Sequence, residues 1–191
     1  VKTGYLIIVI SYPNYRKPES GREIYFLMDW FALYVKSRHE FITNSELQRK
    51  GIETFLPSIK RSRQWKDRRK FIDFPLFPGY LFFHIYPEND NFINVLKTRG
   101  AVRIISIEKG NPTPVPPVEI YSLKLLIESG KEFDVYPNLK EGTWVRVVKG
   151  PLKGAEGILK KKEEQYMFLV NIELLGRSIG VKIHADCIEG V

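Results

Sequence analysis

The chain has 191 residues, 43% of them apolar and 13% aromatic, which suits one or two small domains with a buried core and excludes wholesale disorder. Its 30 basic against 22 acidic residues leave a net charge of +8, which points to a polyanionic partner. The one cysteine, Cys187, excludes a disulfide framework and fits a reducing cytoplasm; the three histidines, His39, His84 and His184, lack metal-ligand spacing, so no metal or other cofactor is expected.

Residues 1–27 carry little pattern. Tyr5-Leu6-Ile7-Ile8-Val9-Ile10 is apolar but far too short to span a bilayer, and no small-residue cleavage site follows it. Met28 stands immediately ahead of the first well-patterned strand, which suggests that translation begins there and that residues 1–27 are a dispensable leader. Residues 30–36 alternate as a strand, with Phe31, Leu33 and Val35 on one face and Trp30, Ala32, Tyr34 and Lys36 on the other. Ser37-Arg38-His39-Glu40 has the form of a capping box and predicts a helix that Gly51 ends.

Strands are expected at 53–59, 71–76 and 80–86. Between the first two lies Lys60-Arg61-Ser62-Arg63-Gln64-Trp65-Lys66-Asp67-Arg68-Arg69-Lys70, a basic run read as the tip of an extended hairpin, with Trp65 interleaved as a stacking surface. Phe74-Pro75-Leu76-Phe77-Pro78-Gly79-Tyr80 reads as a strand end and a rigid corner, because proline offers no ladder donor. Such a corner can hold Phe77 and Tyr80 at a surface; the alternative is a bulged strand whose aromatics enter the core. A short helix capped by Asn89 or Asp90 and closed by Gly100 follows, then a strand at 102–107. Pro116-Pro117 opens a helix with Ile120, Leu123 and Ile127 on one face, and Gly130 stops it.

Residues 131–139 break periodicity and are read as a linker. From 140 to 191 there are only short β patterns, at 143–149, 157–162, 166–173 and 178–184, punctuated by glycine; that spacing suggests a small closed barrel. The expected class is α+β: an antiparallel sheet flanked by helices over 28–130, then a small all-β barrel. P-loop, dinucleotide and triad patterns are missing from the sequence, so no catalytic residue is expected.

Two segments carry a resemblance. Gly142-Thr143-Trp144-Val145-Arg146-Val147 with Gly150-Pro151-Leu152-Lys153-Gly154 and Gly157-Ile158 resembles a KOW motif. Trp30 to Ser37, Leu76-Phe77-Pro78-Gly79-Tyr80-Leu81-Phe82 and Thr98-Arg99-Gly100 resemble the N-terminal (NGN) domain of the NusG family, with the proline-rich and Thr-Arg-Gly forms closer to its operon-targeted RfaH and UpxY paralogues. The resemblance implies a monomeric cytoplasmic, non-membrane, non-enzymatic elongation or antitermination factor that suppresses pausing or termination. It implies that Trp30, Phe77 and Tyr80 contact the clamp helices of the RNA polymerase β′ subunit. Lys36, Arg38, Thr98 and Arg99 would meet the non-template strand, and Arg61, Arg63, Arg68 and Arg69 the upstream DNA. Leu152, Ala155, Leu174 and Leu175 would face ribosomal protein NusE or the terminator Rho. General NusG action, or RNA and ribosome binding by a KOW protein without polymerase activity, are the alternatives. RfaH's barrel can refold as helices; the glycine and β-branched content here predicts a stable barrel.

Overall fold

A computed structural model describes residues 28–64, 69–137, 142–162 and 165–191. It is α+β, as the patterning predicts, and its described residues fall into two compact units: those up to 56 with 79–114, and 57–78 with 115–191. The leader and residues 65–68, which include Trp65 and Arg68, lie outside the described residues.

In the first unit, strands β1 (Asp29–Val35), β2 (Glu53–Phe55), β5 (Tyr80–Ile85) and β6 (Ala101–Ile104) form an antiparallel sheet in the order β2-β5-β1-β6. Period-two alternation in β1 and β5 sends Phe31, Leu33, Val35, Leu81, Phe83 and Ile85 to one face. There they make a core with Leu47 of helix α1 (Glu40–Arg49) and Phe92 and Val95 of helix α2 (Asn89–Leu96). Phe31 lies edge-on to Phe92, with ring centroids 5.0 Å apart.

The expected capping box does not form. His39 occupies the N-cap of α1 without a side-chain cap bond, and Glu40, the first helical residue, is buried and accepts the Gly79 N–H at 2.8 Å instead. A turn closed by His39 N–H to Lys36 C=O (3.0 Å) holds the chain before the helix and removes Ser37 from the cap position.

The expected strand over 53–59 is also two elements. Pro57 has no donor for a ladder, and its carbonyl accepts the Leu76 N–H at 2.7 Å. Beyond it β3 (Ser58–Gln64) and β4 (Arg69–Pro75) pair as a separate two-stranded ribbon, with Lys60 opposite Asp73, Ser62 opposite Phe71 and Arg63 opposite Lys70. The basic run is thus not confined to a hairpin tip; both strands run through it.

The two-residue β7 (Pro114–Val115) precedes helix α3 (Pro117–Glu128), which begins with proline at its first position, where a missing N–H costs nothing. Then β8 (Asp134–Pro137), β9 (Thr143–Val147), β10 (Glu156–Lys162), β11 (Gln165–Ile172), β12 (Arg177–Ile183) and β13 (Ile188–Gly190) form one antiparallel sheet in the order β13-β9-β10-β11-β12-β8. Val145, Val147, Phe168, Val170, Ile172, Ile179 and Val181 are its buried centre. Close packing requires Gly157, where a Cβ would collide with the Leu169 carbonyl on the neighbouring strand. Among the described residues of 142–191 the regular elements are strands, apart from short 3-10 turns at Glu173–Leu175 and Ala185–Cys187. Helix α3, which lies ahead of the expected linker, packs on β10 and β11 of this unit.

Candidate interaction surfaces

The sheet face opposite the helices is aromatic. Register places Trp30 opposite His84, Ala32 opposite Phe82, and Tyr34 opposite both Tyr80 on β5 and Arg103 on β6. Trp30 and Tyr80, two of the expected polymerase contacts, therefore share one face. Trp30 stacks on His84 with centroids 4.8 Å apart, and His84 Nδ1 pairs with Glu53 Oε2 at 2.9 Å, which fixes the ring beneath the indole. At the other end Tyr34 and Tyr80 are 5.3 Å apart and the Arg103 guanidinium lies over the Tyr34 ring at 5.7 Å. A cation held over a ring face gains from its quadrupole, so Tyr80, Tyr34 and Arg103 form an ordered row across three strands.

Exposure separates these residues. Tyr34 and Tyr80 are half-buried and Arg103 is exposed, whereas Trp30 and Phe77 are buried, only 7% and 4% exposed. The corner does not present Phe77 at a surface; Pro78 is its exposed residue. Sequence alternation puts Tyr34 on the face of Trp30, but only the strand order sets Tyr80 and Arg103 on either side of it.

A cationic edge lies where β1 ends. The Lys36 N–H donates to the Gly100 carbonyl at 2.8 Å, which joins the turn before α1 to the turn after α2 and brings Lys36, Arg38 and Arg99 to one edge. All three side chains are exposed. Arg38, with φ 63°, is the non-glycine residue with positive φ among the described residues, a conformation that costs free energy and is commonest at functional turns. Thr43 Oγ1 donates to the Arg99 carbonyl at 2.8 Å, and a Cβ on Gly100 would collide with that hydroxyl, so the Arg99-Gly100 backbone is held close to α1.

Thr98 does not join this edge. It is buried, its hydroxyl accepts Lys50 Nζ at 2.8 Å, and Lys50 also donates to the Asn94 carbonyl at 2.8 Å. Its hydroxyl is engaged in tying α1 to α2, which leaves Lys36, Arg38 and Arg99 as the exposed members of the expected group. Of the ribbon arginines, Arg61, Arg63 and Arg69 lie on the β3–β4 ladder, and Arg68 lies outside the described residues.

On the barrel, Leu152 and Ala155 are buried, while Leu174 and Leu175 are half-buried. The loop between β9 and β10 is pinned by α3: Ser122 Oγ accepts the Glu156 N–H at 2.9 Å. One turn earlier on α3, Glu119 is buried. Desolvation pushes its carboxyl up to about 7, against a hydrogen bond from the Glu173 backbone and with the Glu173 charge adding to the rise. Among the described residues no group of His, Cys, Asp and Glu is arranged to hold a metal ion, and no helix is long and apolar enough to cross a membrane.

A family model described as "Transcription termination factor nusG" matches residues 28–124. Two proteins named "Transcription termination/antitermination protein NusG", from Streptococcus pyogenes serotypes M3 and M1, are each 25% identical over 138 residues, covering 67% of this chain and 77% of the relative. A solved structure titled "Domain interaction in Thermotoga maritima NusG" aligns with 86% of this chain and 97% of its own, at 21% identity and a TM-score of 0.48.

Proposed function

The chain belongs to the NusG family of transcription termination and antitermination factors, and from that premise we propose that it rides on transcribing RNA polymerase and suppresses pausing or termination. The observation that carries the reading is the row Tyr80–Tyr34–Arg103, an aromatic strip at the open end of the sheet face that also bears Trp30. Aromatic and arginine side chains are the usual anchors of protein interfaces, and burying one large ring stabilises a contact by roughly 1.5–3 kcal/mol. The partner of this strip is the pair of clamp helices of the β′ subunit. Trp30, on the same sheet face, is buried and supports it from within.

Lys36, Arg38 and Arg99 then meet the non-template strand, and the basic ribbon meets upstream DNA. Phosphate contacts of this kind add affinity without sequence information and weaken steeply with salt. Action at particular operons is supported by the Leu76-Phe77-Pro78 and Thr98-Arg99-Gly100 forms. Leu174 and Leu175 are the half-exposed barrel positions left for NusE or Rho. No step of this activity calls for catalysis, and it belongs in the cytoplasm with the polymerase.

Transcription in vitro across a pause site and a Rho-dependent terminator tests the reading. Added protein should shorten the pause and raise read-through; unchanged kinetics with saturating folded protein would refute it.

A further inference from the structure

The β3–β4 ribbon has two unlike faces. Ile59 and Phe74 are in register, and they and Ile72 are half-buried, so the ribbon's apolar side is already occupied. On the opposite side Lys60 and Asp73 are in register and both exposed, and the next rung towards the tip pairs Ser62 with Phe71. Phe71 is 70% exposed. A phenyl ring there is not needed to complete the apolar side, and a polar residue would suit a solvated strand better.

The ribbon as a whole is basic. The two strands contain Lys60, Arg61, Arg63, Arg69 and Lys70 against one acid, Asp73; in the ladder Lys60, Arg69 and Asp73 hold positions on the side of Phe71, and Arg61, Arg63 and Lys70 hold positions on the other. An exposed ring on a ribbon of net positive charge fits a chain that offers flat apolar surfaces and phosphates together. Duplex DNA hides its base faces, whereas an unpaired strand presents them, and base–aromatic stacking tolerates any sequence. A protein surface would match the ring but not so dense a positive charge.

We propose that Phe71 is a stacking platform for an unpaired base, so that the ribbon takes single-stranded nucleic acid and not only the phosphates of a duplex. The inference rests on the reading that the ribbon meets nucleic acid, and it names the residue and the strandedness.

Binding of the full chain to a fluorescein-labelled single-stranded oligodeoxynucleotide, and to the same sequence as a duplex, tests it at fixed salt. Phe71→Ala should weaken single-strand binding about tenfold, as expected for loss of one stacked base, and change duplex binding less than about twofold. Phe71→Trp should restore single-strand binding, and the indole introduced there should be quenched on binding beyond the quenching seen in the parent. With circular dichroism unchanged, single-strand affinity of Phe71→Ala within twofold of the parent would overturn the proposal, as would equal losses on both probes. Lys60→Gln with Arg61→Gln separates the two levels. If that pair weakens binding and Phe71→Ala does not, stacking alone is wrong; if neither variant matters, the ribbon does not meet nucleic acid at all.

Discussion

Glu40 and Gly79, far apart in the chain, meet at the corner between the ribbon and β5: the Gly79 N–H donates to Glu40 Oε1 at 2.8 Å, while the Gly79 carbonyl accepts the Val35 N–H at the same distance. Both polar groups of one residue are thereby fixed, one by the start of α1 and one by the end of β1. Tyr80 is the next residue, so the bond sets where the aromatic row begins.

Removal of that carboxylate leaves a buried N–H without a partner. Glu40→Ala should lower stability by about 2 kcal/mol, the usual scale for a lost charge-assisted hydrogen bond, and Glu40→Gln by less because an acceptor remains. Urea denaturation checks both; equal stability of Glu40→Ala and the parent would show that the corner holds without the bond.

Thr98 and Arg99 should separate cleanly despite being adjacent. Thr98→Val removes the acceptor of Lys50 and should cost about 1 kcal/mol of stability. Arg99→Ala should leave the melting transition in place and weaken binding of DNA-containing elongation complexes, with a shallower salt dependence. If Thr98→Val affected DNA binding alone, the packing role assigned to its hydroxyl would be wrong.

Phe77, only 4% exposed, should behave as a core residue. Phe77→Ala should destabilise by about 3 kcal/mol, the lower end for deleting a buried phenyl ring. Unfolding by denaturant measures it, and a loss below about 1 kcal/mol would return Phe77 to the surface.

Much of the first sheet was legible because β1 and β5 are short apolar, aromatic-rich runs, buried along most of their length and bounded by turn residues. What was not legible depended on partners distant in the chain. Ser37-x-x-Glu40 satisfies the local rule for a capping box, but a buried N–H at Gly79 competes for the same carboxylate and wins. Pro57 hid the division of one apparent strand, since either a strand end or an edge position accommodates proline. The pattern Ile120, Leu123, Ile127 correctly marks α3 as a helix with a buried side, yet it is the buried polar residues Glu119 and Ser122 that show the barrel beside it. For the candidate sites, residue type located the aromatics and cations, and strand order decided which were neighbours: Tyr34 and Arg103 join Tyr80, while Thr98 turns inward.

Glu119 gives the fold a pH dependence of definite sign. Its carboxyl titrates at about 7 in the folded chain against 4.5 as a free group, so the folded state holds the proton more tightly. Stability from this group is therefore complete below pH 4.5, declines as pH rises towards 7, and is flat above that. Glu173 is the charged neighbour that adds to the rise, while the Glu156 side chain is engaged with Arg146. Glu119→Gln should flatten the stability profile between pH 4.5 and 7; an unaltered profile would mean that Glu119 is solvated when the chain is folded.

The most direct test of the account is co-migration with RNA polymerase stalled on a nucleic-acid scaffold, resolved by native gel. The parent chain should shift the complex, and Tyr34→Ala combined with Tyr80→Ala should weaken that shift by about tenfold or more while the protein stays folded, as expected for two half-buried aromatic anchors. A folded parent that runs free of the stalled polymerase, or a double variant that binds as tightly as the parent, would contradict it.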